Sequence, residues 1–294
     1  MKKRRIVLLI LILLLVASAL TVTTITRRAP EIDVRAVYEK YAEKDDYVPY
    51  DKIPPRLVDV TLAAEDHRFY RHHGIDYIRV AKAVLRDLYH GAFVDGASTI
   101  PMQLSKNFLT SDTKSFERKL FDAHYARELE RKLTKEELVA WYINSIGLSR
   151  GVEGVPESAR KFLGKTVDEL SVAECAYLVG ITNHPSRYTP FTTAPLTVDA
   201  PMVYLSHEHG ANDSETVRAM ISAGKILPEL EAPLLAGEFT ALGAYENPET
   251  YERERYILRR MKELGMMDEA AYDAAIEERI TLHIGAFQKE AMEQ

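Results

Sequence analysis

The 294 residues suffice for one large domain or two small ones, and 46% hydrophobic with 28% charged residues excludes a disordered or fibrous chain. Net charge is −6 with Lys2, Lys3, Arg4 and Arg5 at the extreme N-terminus, so the remainder carries about −10 and lacks the net basic footprint of a nucleic-acid-binding protein. A single cysteine, Cys175, excludes an internal disulfide and reads as a small buried hydrophobe in an apolar helical pattern.

The basic start is followed by a stretch without charge from Ile6 to Thr26, closed by Arg27 and Arg28. About 20 apolar residues span a bilayer, and the leading cations predict a cytoplasmic N-terminus with the body outside. Ala17-Ser18-Ala19 also resembles a signal-peptide cleavage site; either reading exports residues 29–294. Residues 1–28 are therefore expected to be tail and single-pass anchor, residues 29–53 a linker with a short helix near Val37–Ala42, and residues 54–294 the main domain.

Pro54-Pro55 open a helix, since a first turn needs no N–H there. Leu57, Val60 and Ala64 form its apolar face, and Glu65-Asp66 come directly after it. Adjacent carboxylates at the end of an apolar run are costly unless paired or employed. After Gly74, the residues Ile78, Ala81, Leu85 and Leu88 predict a second amphipathic helix. Residues 90–117 lack periodicity and read as a functional loop around a short helix near Met102–Asn107. Arg118, Asp122 and Ala126 share one stripe of the next helix. Thr134–Glu137 and Ser171–Glu174 are capping boxes heading two further helices. Residues 191–245 show no strong periodicity beyond a helix at Ser214–Ala223, and helices resume at Glu249–Lys262 and after Asp268. No strand-like alternation runs far, so the class is mainly α.

Several ordered blocks resemble the peptidoglycan glycosyltransferase family, that is, the glycosyltransferase domain of class A penicillin-binding proteins and its monofunctional counterparts. They are Glu65-Asp66 with Phe69, His72, Gly74 and Asp76; Gly96 with Ser98-Thr99-Ile100, Gln103 and Lys106-Asn107; Arg118-Lys119 with Ala126, Leu129-Glu130 and Lys135; Tyr142 and Asn144 with Gly151 and Gly154; and Leu170-Ser171 with Glu174, Pro185, Tyr188 and Pro190. The resemblance implies a lysozyme-like α fold behind an N-terminal transmembrane helix, at the cytoplasmic (inner) membrane with the catalytic domain outside. It implies lipid II and the nascent glycan strand as substrates, an inverting transfer with release of polyprenyl pyrophosphate, and no transpeptidase domain. Glu65 would be the general base and Asp122 would stand at the family's second acidic position. Asp66, Phe69, His72, Ser98, Thr99, Gln103 and Asn107 would shape the substrate site. Lys106, Lys114 and Arg118 would gather at the pyrophosphate, where fixed charge is a large catalytic term. No cofactor is required by this reading, with a divalent cation such as Mg the one candidate; cell-wall synthesis or division proteins are the candidate partners.

The chain departs from the family pattern at Asp122, shorter than the usual glutamate, at Pro101-Met102 in place of Thr-Gln, and at Lys114 in place of an arginine fork. Residues 191–245 read as an atypical insertion. A lysozyme-like hydrolase and a non-catalytic membrane-anchored scaffold stay open, since fold does not fix function; the cation set favours transfer from a pyrophosphate. Ser222-Ala-Gly-Lys225 has the spacing of a penicillin-binding nucleophile without its companion motifs, and His207-Glu208-His209 lacks the helical spacing of a zinc pair.

Overall fold

In a computed structural model, residues 23–90, 96–110, 116–206, 208–210 and 212–293 are described. The residues up to Val22, where the anchor is expected, and Lys114 and His207 lie outside them. Among the described residues no helix is long and apolar enough to cross a membrane. In chain order the elements are α1 (Val34–Ala42), α2 (Pro55–Glu65), α3 (Tyr77–His90), α4 (Ile100–Phe108), α5 (Phe116–Lys132), α6 (Lys135–Ser145), α7 (Gly154–Ser158) and α8 (Val172–Ile181). Next come β1 (Phe191–Pro195), β2 (Met202–Ser206), α9 (Ser214–Ser222), α10 (Glu231–Ala236), β3 (Thr240–Glu246), α11 (Pro248–Glu263), α12 (Glu269–Glu277) and α13 (Ala286–Glu293). The chain divides into two compact units, Met1–Tyr47 with Arg68–Trp141, and Val48–His67 with Tyr142–Gln294.

In the first unit α4 packs on α5. Trp141, fully buried, has Phe108 at 4.8 Å, Tyr38 at 5.6 Å and Tyr41 at 6.1 Å between ring centroids. The stretch expected to be a linker thus contributes α1, with Val34 and Tyr41 buried and Asp33 as its N-cap. Gly74 has a steric reason: φ is +79°, and a Cβ there would lie 2.7 Å from the backbone of Ala126 in α5. α3 is amphipathic as expected, but only its Ala83 is buried, while Ile78, Leu85, Leu88 and Tyr89 are exposed.

In the second unit α8 is apolar all round, which places it at the centre, packed on α11 and α2. Its predicted capping box is present: Ser171 Oγ accepts from Glu174 N–H at 3.1 Å and Glu174 Oε2 from Ser171 N–H at 2.9 Å. Asn144 exchanges two 2.8 Å hydrogen bonds with the Val48 backbone. Gly154 (φ +79°) passes so close to Asn144 that a Cβ would sit 2.2 Å from its carbonyl oxygen.

Residues 191–245 correct the expectation of an unpatterned segment. They hold an antiparallel sheet of order β1-β3-β2, with Phe191 opposite Glu246 and Met202 opposite Ala244. Val203, Leu205, Val217, Met220, Ile226, Leu230 and Leu234 form a core of their own beneath it. The strands escape a sequence reading because β1 buries only Phe191, β2 alternates over five residues, and β3 is built from small side chains. Gln288 of α13 ties this lobe down: its amide donates to the Lys225 carbonyl at 2.7 Å and accepts from Leu227 N–H at 3.2 Å. Arg150, at φ +63°, lies between the Phe191 and Tyr204 rings, 4.3 and 4.6 Å from their centroids.

Candidate active site

Glu65 is the last residue of α2, where the helix hands over to a non-helical Asp66 (φ −152°, ψ 68°). Its carboxylate is half-buried and accepts a 2.9 Å hydrogen bond from Thr182 Oγ1, at the C-terminal end of α8. An ionised carboxylate has two oxygens and several lone-pair sites, so the Thr182 hydroxyl can orient it by one of them. Arg260 of α11 secures the helix end, donating to the Ala63 carbonyl at 2.7 Å and lying 3.0 Å from His67 Nδ1. A cation is favourable at such a C-terminus. Asp66 is buried beside Glu65 in sequence.

The remaining described site residues belong to the first unit. Thr99 is fully buried and caps α4, its hydroxyl donating to the Gly74 carbonyl at 2.5 Å and accepting from Met102 N–H at 3.3 Å. Pro101 then falls in the first turn of α4, where no N–H is needed, so its place in the sequence costs the helix nothing. Ser98 accepts from Lys119 Nζ at 3.0 Å. Gln103 is half-buried on α4, and Lys106 and Asn107 are exposed on its last turn.

Asp122 is buried on α5. Thr110 donates to its Oδ1 at 2.8 Å, and Arg118 Nε lies 3.8 Å from its Oδ2 one turn away. Asp122 therefore lies inside α5 between the Thr110 hydroxyl and the Arg118 guanidinium. Lys135 organises the loop after Glu65: Nζ donates to the Phe69 and His72 carbonyls and to Glu130 Oε1, and lies 4.2 Å from the centre of the Phe69 ring. Phe69 and His72, both buried, meet edge to face at 6.1 Å. Asp76 caps α3 through the Ile78 and Arg79 N–H groups and pairs with Arg68 at 2.8 Å. Burial opposes its ionisation, but the Arg79 N–H and Arg68 prevail and hold it below the usual carboxylate range.

The structure thus joins Ser98 to Lys119, Thr99 to Gly74, and Asp122 to Arg118 and Thr110 within the first unit, and Glu65 to Thr182 within the second. Nothing in the sequence points to Thr110 and Thr182: each is a lone hydroxyl far from its carboxylate in sequence or outside the helical repeat. Among the described residues no set of three His, Cys, Asp or Glu side chains is placed to hold a metal ion. Ser222 Oγ donates to the Arg218 carbonyl and Lys225 Nζ to that of Ala200, so their spacing is accounted for by local structure.

Comparison with known proteins identifies the family of the chain. The family described as Transglycosylase matches residues 33–206. A Cupriavidus necator protein named "Putative transglycosylase" is 39% identical over 173 residues, covering 59% of this chain and 73% of that protein. Penicillin-binding protein 2D of Bacillus subtilis is 40% identical over 151 residues, 51% of this chain. Penicillin-binding protein 1A of Escherichia coli is 38% identical over 159 residues, 54% of this chain. The chain spans 22% and 19% of the length of these two penicillin-binding proteins. A crystal structure of penicillin-binding protein 1A from Haemophilus influenzae aligns over 80% of this chain and 18% of that one at 17% identity, with a TM-score of 0.35. The family match takes in both Glu65 and the polar and cationic residues of α4 and α5 and extends over more than half the chain, so the chain belongs to the transglycosylase family, the peptidoglycan glycosyltransferases, and is a glycosyltransferase.

Proposed function

We propose that the protein polymerises lipid II into glycan strands, at the outer face of the cytoplasmic membrane, by inverting transfer. Glu65 accepts the proton of the acceptor sugar 4-hydroxyl as that oxygen attacks the anomeric carbon of the growing strand. The bond from that carbon to the pyrophosphate oxygen breaks, and polyprenyl pyrophosphate leaves with the bonding electrons. Lys106, Lys114 and Arg118 meet the charge that develops on the leaving group. Asp122 positions Arg118, and Ser98, Thr99, Gln103 and Asn107 order the substrate's polar groups, with Asp66, Phe69 and His72 shaping the wall.

The observation that carries this reading is the half-buried Glu65 carboxylate at a helix end, oriented by the Thr182 hydroxyl. A positioned base contributes about 10²–10⁴-fold. The exposed stripe of α3, with Leu85 at 68% and Leu88 at 75% exposure, supports contact with the acyl region or with the polyprenyl chain. The N-terminal apolar segment supplies the single-pass anchor, with the N-terminus inside.

The test is to give labelled lipid II to the purified full chain in detergent, beside Glu65→Gln. Strand formation by the parent and a rate about 10²–10⁴-fold lower in Glu65→Gln is the expected result. Equal inertness of both would favour the scaffold reading, and cleavage of preformed strands would favour the hydrolase.

A further inference from the structure

Well away in sequence from Glu65, α11 and the end of α12 line a cleft of ≈ 480 Å³. Glu246, Glu252, Glu254, Glu277 and Glu278 line it against Arg255 and Arg279, with Pro248, Tyr251 and Ile276 as its apolar walls. Glu254 is the decisive residue. It is only 3% exposed, and it makes no hydrogen bond or ion pair with any described residue. Its carboxyl lines the cleft between Arg255 and Glu278, and burial of the side chain makes the charged form costly there. Tyr251 is fixed, its hydroxyl donating to Glu246 at 3.0 Å and to the Ile280 carbonyl at 3.3 Å, so its ring is a rigid wall.

The chemistry of the lining selects the ligand. Carboxylates outnumber the two guanidinium groups, which disfavours an anion. The described residues lack a three-donor cluster for a metal ion. A compact cation on an aliphatic stem meets both remaining demands, since its head satisfies a carboxylate while its methylenes lie along tyrosine, proline and isoleucine. We propose that this cleft binds an alkylammonium group, for which Glu254 supplies the counter-charge and Tyr251 the wall.

The proton inventory agrees with the geometry. Burial pushes Glu254 up to about 7, Arg255 on the same helix draws it down and Glu278 pushes it up. The phenols of Tyr177, from α8, and Tyr251 also face it and are kept protonated chiefly by burial. From α2, the other element packed on α11, no charged group contributes among the described residues. Glu254 is therefore about half protonated near neutrality, and an arriving ammonium displaces the proton.

Isothermal titration calorimetry on the full chain in detergent tests this, with cadaverine as a free amine, acetyl-lysine methylamide as a side-chain source, and n-pentanol as the neutral control. Binding of at least one amine is expected, about tenfold tighter near pH 8 than near pH 6, with release of about one proton per amine at the lower pH. Whichever amine binds more tightly identifies the source. Glu254→Gln, close in shape to the protonated acid, is expected to remove both the pH dependence and the tight phase. Glu278→Gln, an exposed change, is expected to keep binding and move its pH midpoint down. No heat from either amine up to about 10 mM, equal binding of the alcohol, or an unaltered Glu254→Gln titration would overturn the proposal.

Discussion

The end of α2 and the cleft beside α11 each present a glutamate from a helix of the second unit, and the two are treated in opposite ways. Glu65 is half-buried, meets a hydroxyl and sits where Arg260 steadies the helix end. Glu254 is buried, lacks a hydrogen bond from any described residue and is pushed up to about 7 chiefly by burial. The same side chain is thus an oriented acceptor in one place and a store for a proton in the other. The difference lies in what surrounds the carboxyl, not in the helix that carries it.

The comparison can be broken most forcefully by making both groups amides. Glu65→Gln is expected to lower the polymerisation rate by about 10²–10⁴-fold while leaving the melting temperature within about a degree of the parent. A large loss of stability instead would make Glu65 a structural group like any other. A smaller step is Thr182→Val, which deletes the donor and keeps the shape. A hydrogen bond to a charged group is worth about 1.5–3 kcal/mol, so the rate should fall by roughly tenfold or more, with a displaced pH–rate profile and little change in KM. An unchanged pH profile would reduce Thr182 to packing.

The third step concerns stability against pH. Glu254 goes from 4.5 when unfolded to about 7 when folded, so between those values the folded chain keeps a proton that the unfolded chain has lost. Its contribution is therefore most favourable below the lower value, declines as pH rises through the window and is level above it. Thermal unfolding followed by circular dichroism should show a decline of a few degrees from about pH 5 to about pH 7.5, and Glu254→Gln should flatten it. Asp76 runs the other way: held down, it supports the fold above its unfolded value of 3.8 and loses that support as pH falls below it. Parallel curves for parent and Glu254→Gln would erase the contrast between the two glutamates.

Much of the helical framework is legible in the residues. Pro55, the two capping boxes and Asp268 mark helix starts where the structure has them, because caps act through the few residues next to them. Gly74 and Gly154 stand in the blocks that carry the resemblance, and the close backbone contacts at each give the physical reason. Three strands are not legible, since the register of β3 against β1 and β2 is a long-range matter and its small residues carry little pattern. Nor is the pairing of Thr182 with Glu65, which brings together residues 117 positions apart in the chain. Glu254 gives no signal in the sequence because a charge on a polar helix face looks solvated until the fold closes over it.

The Gln288 amide sets an order of assembly. It closes backbone groups at Leu227 and Lys225, yet it is made after β1, β2 and β3 have all left the ribosome. The three-stranded lobe therefore spends its synthesis with those groups open to water, and its last fastening arrives from the C-terminal helix. A pause in translation before that helix would leave the sheet paired but the turn at Lys225–Leu227 not yet fastened, a state that a holding chaperone could recognise.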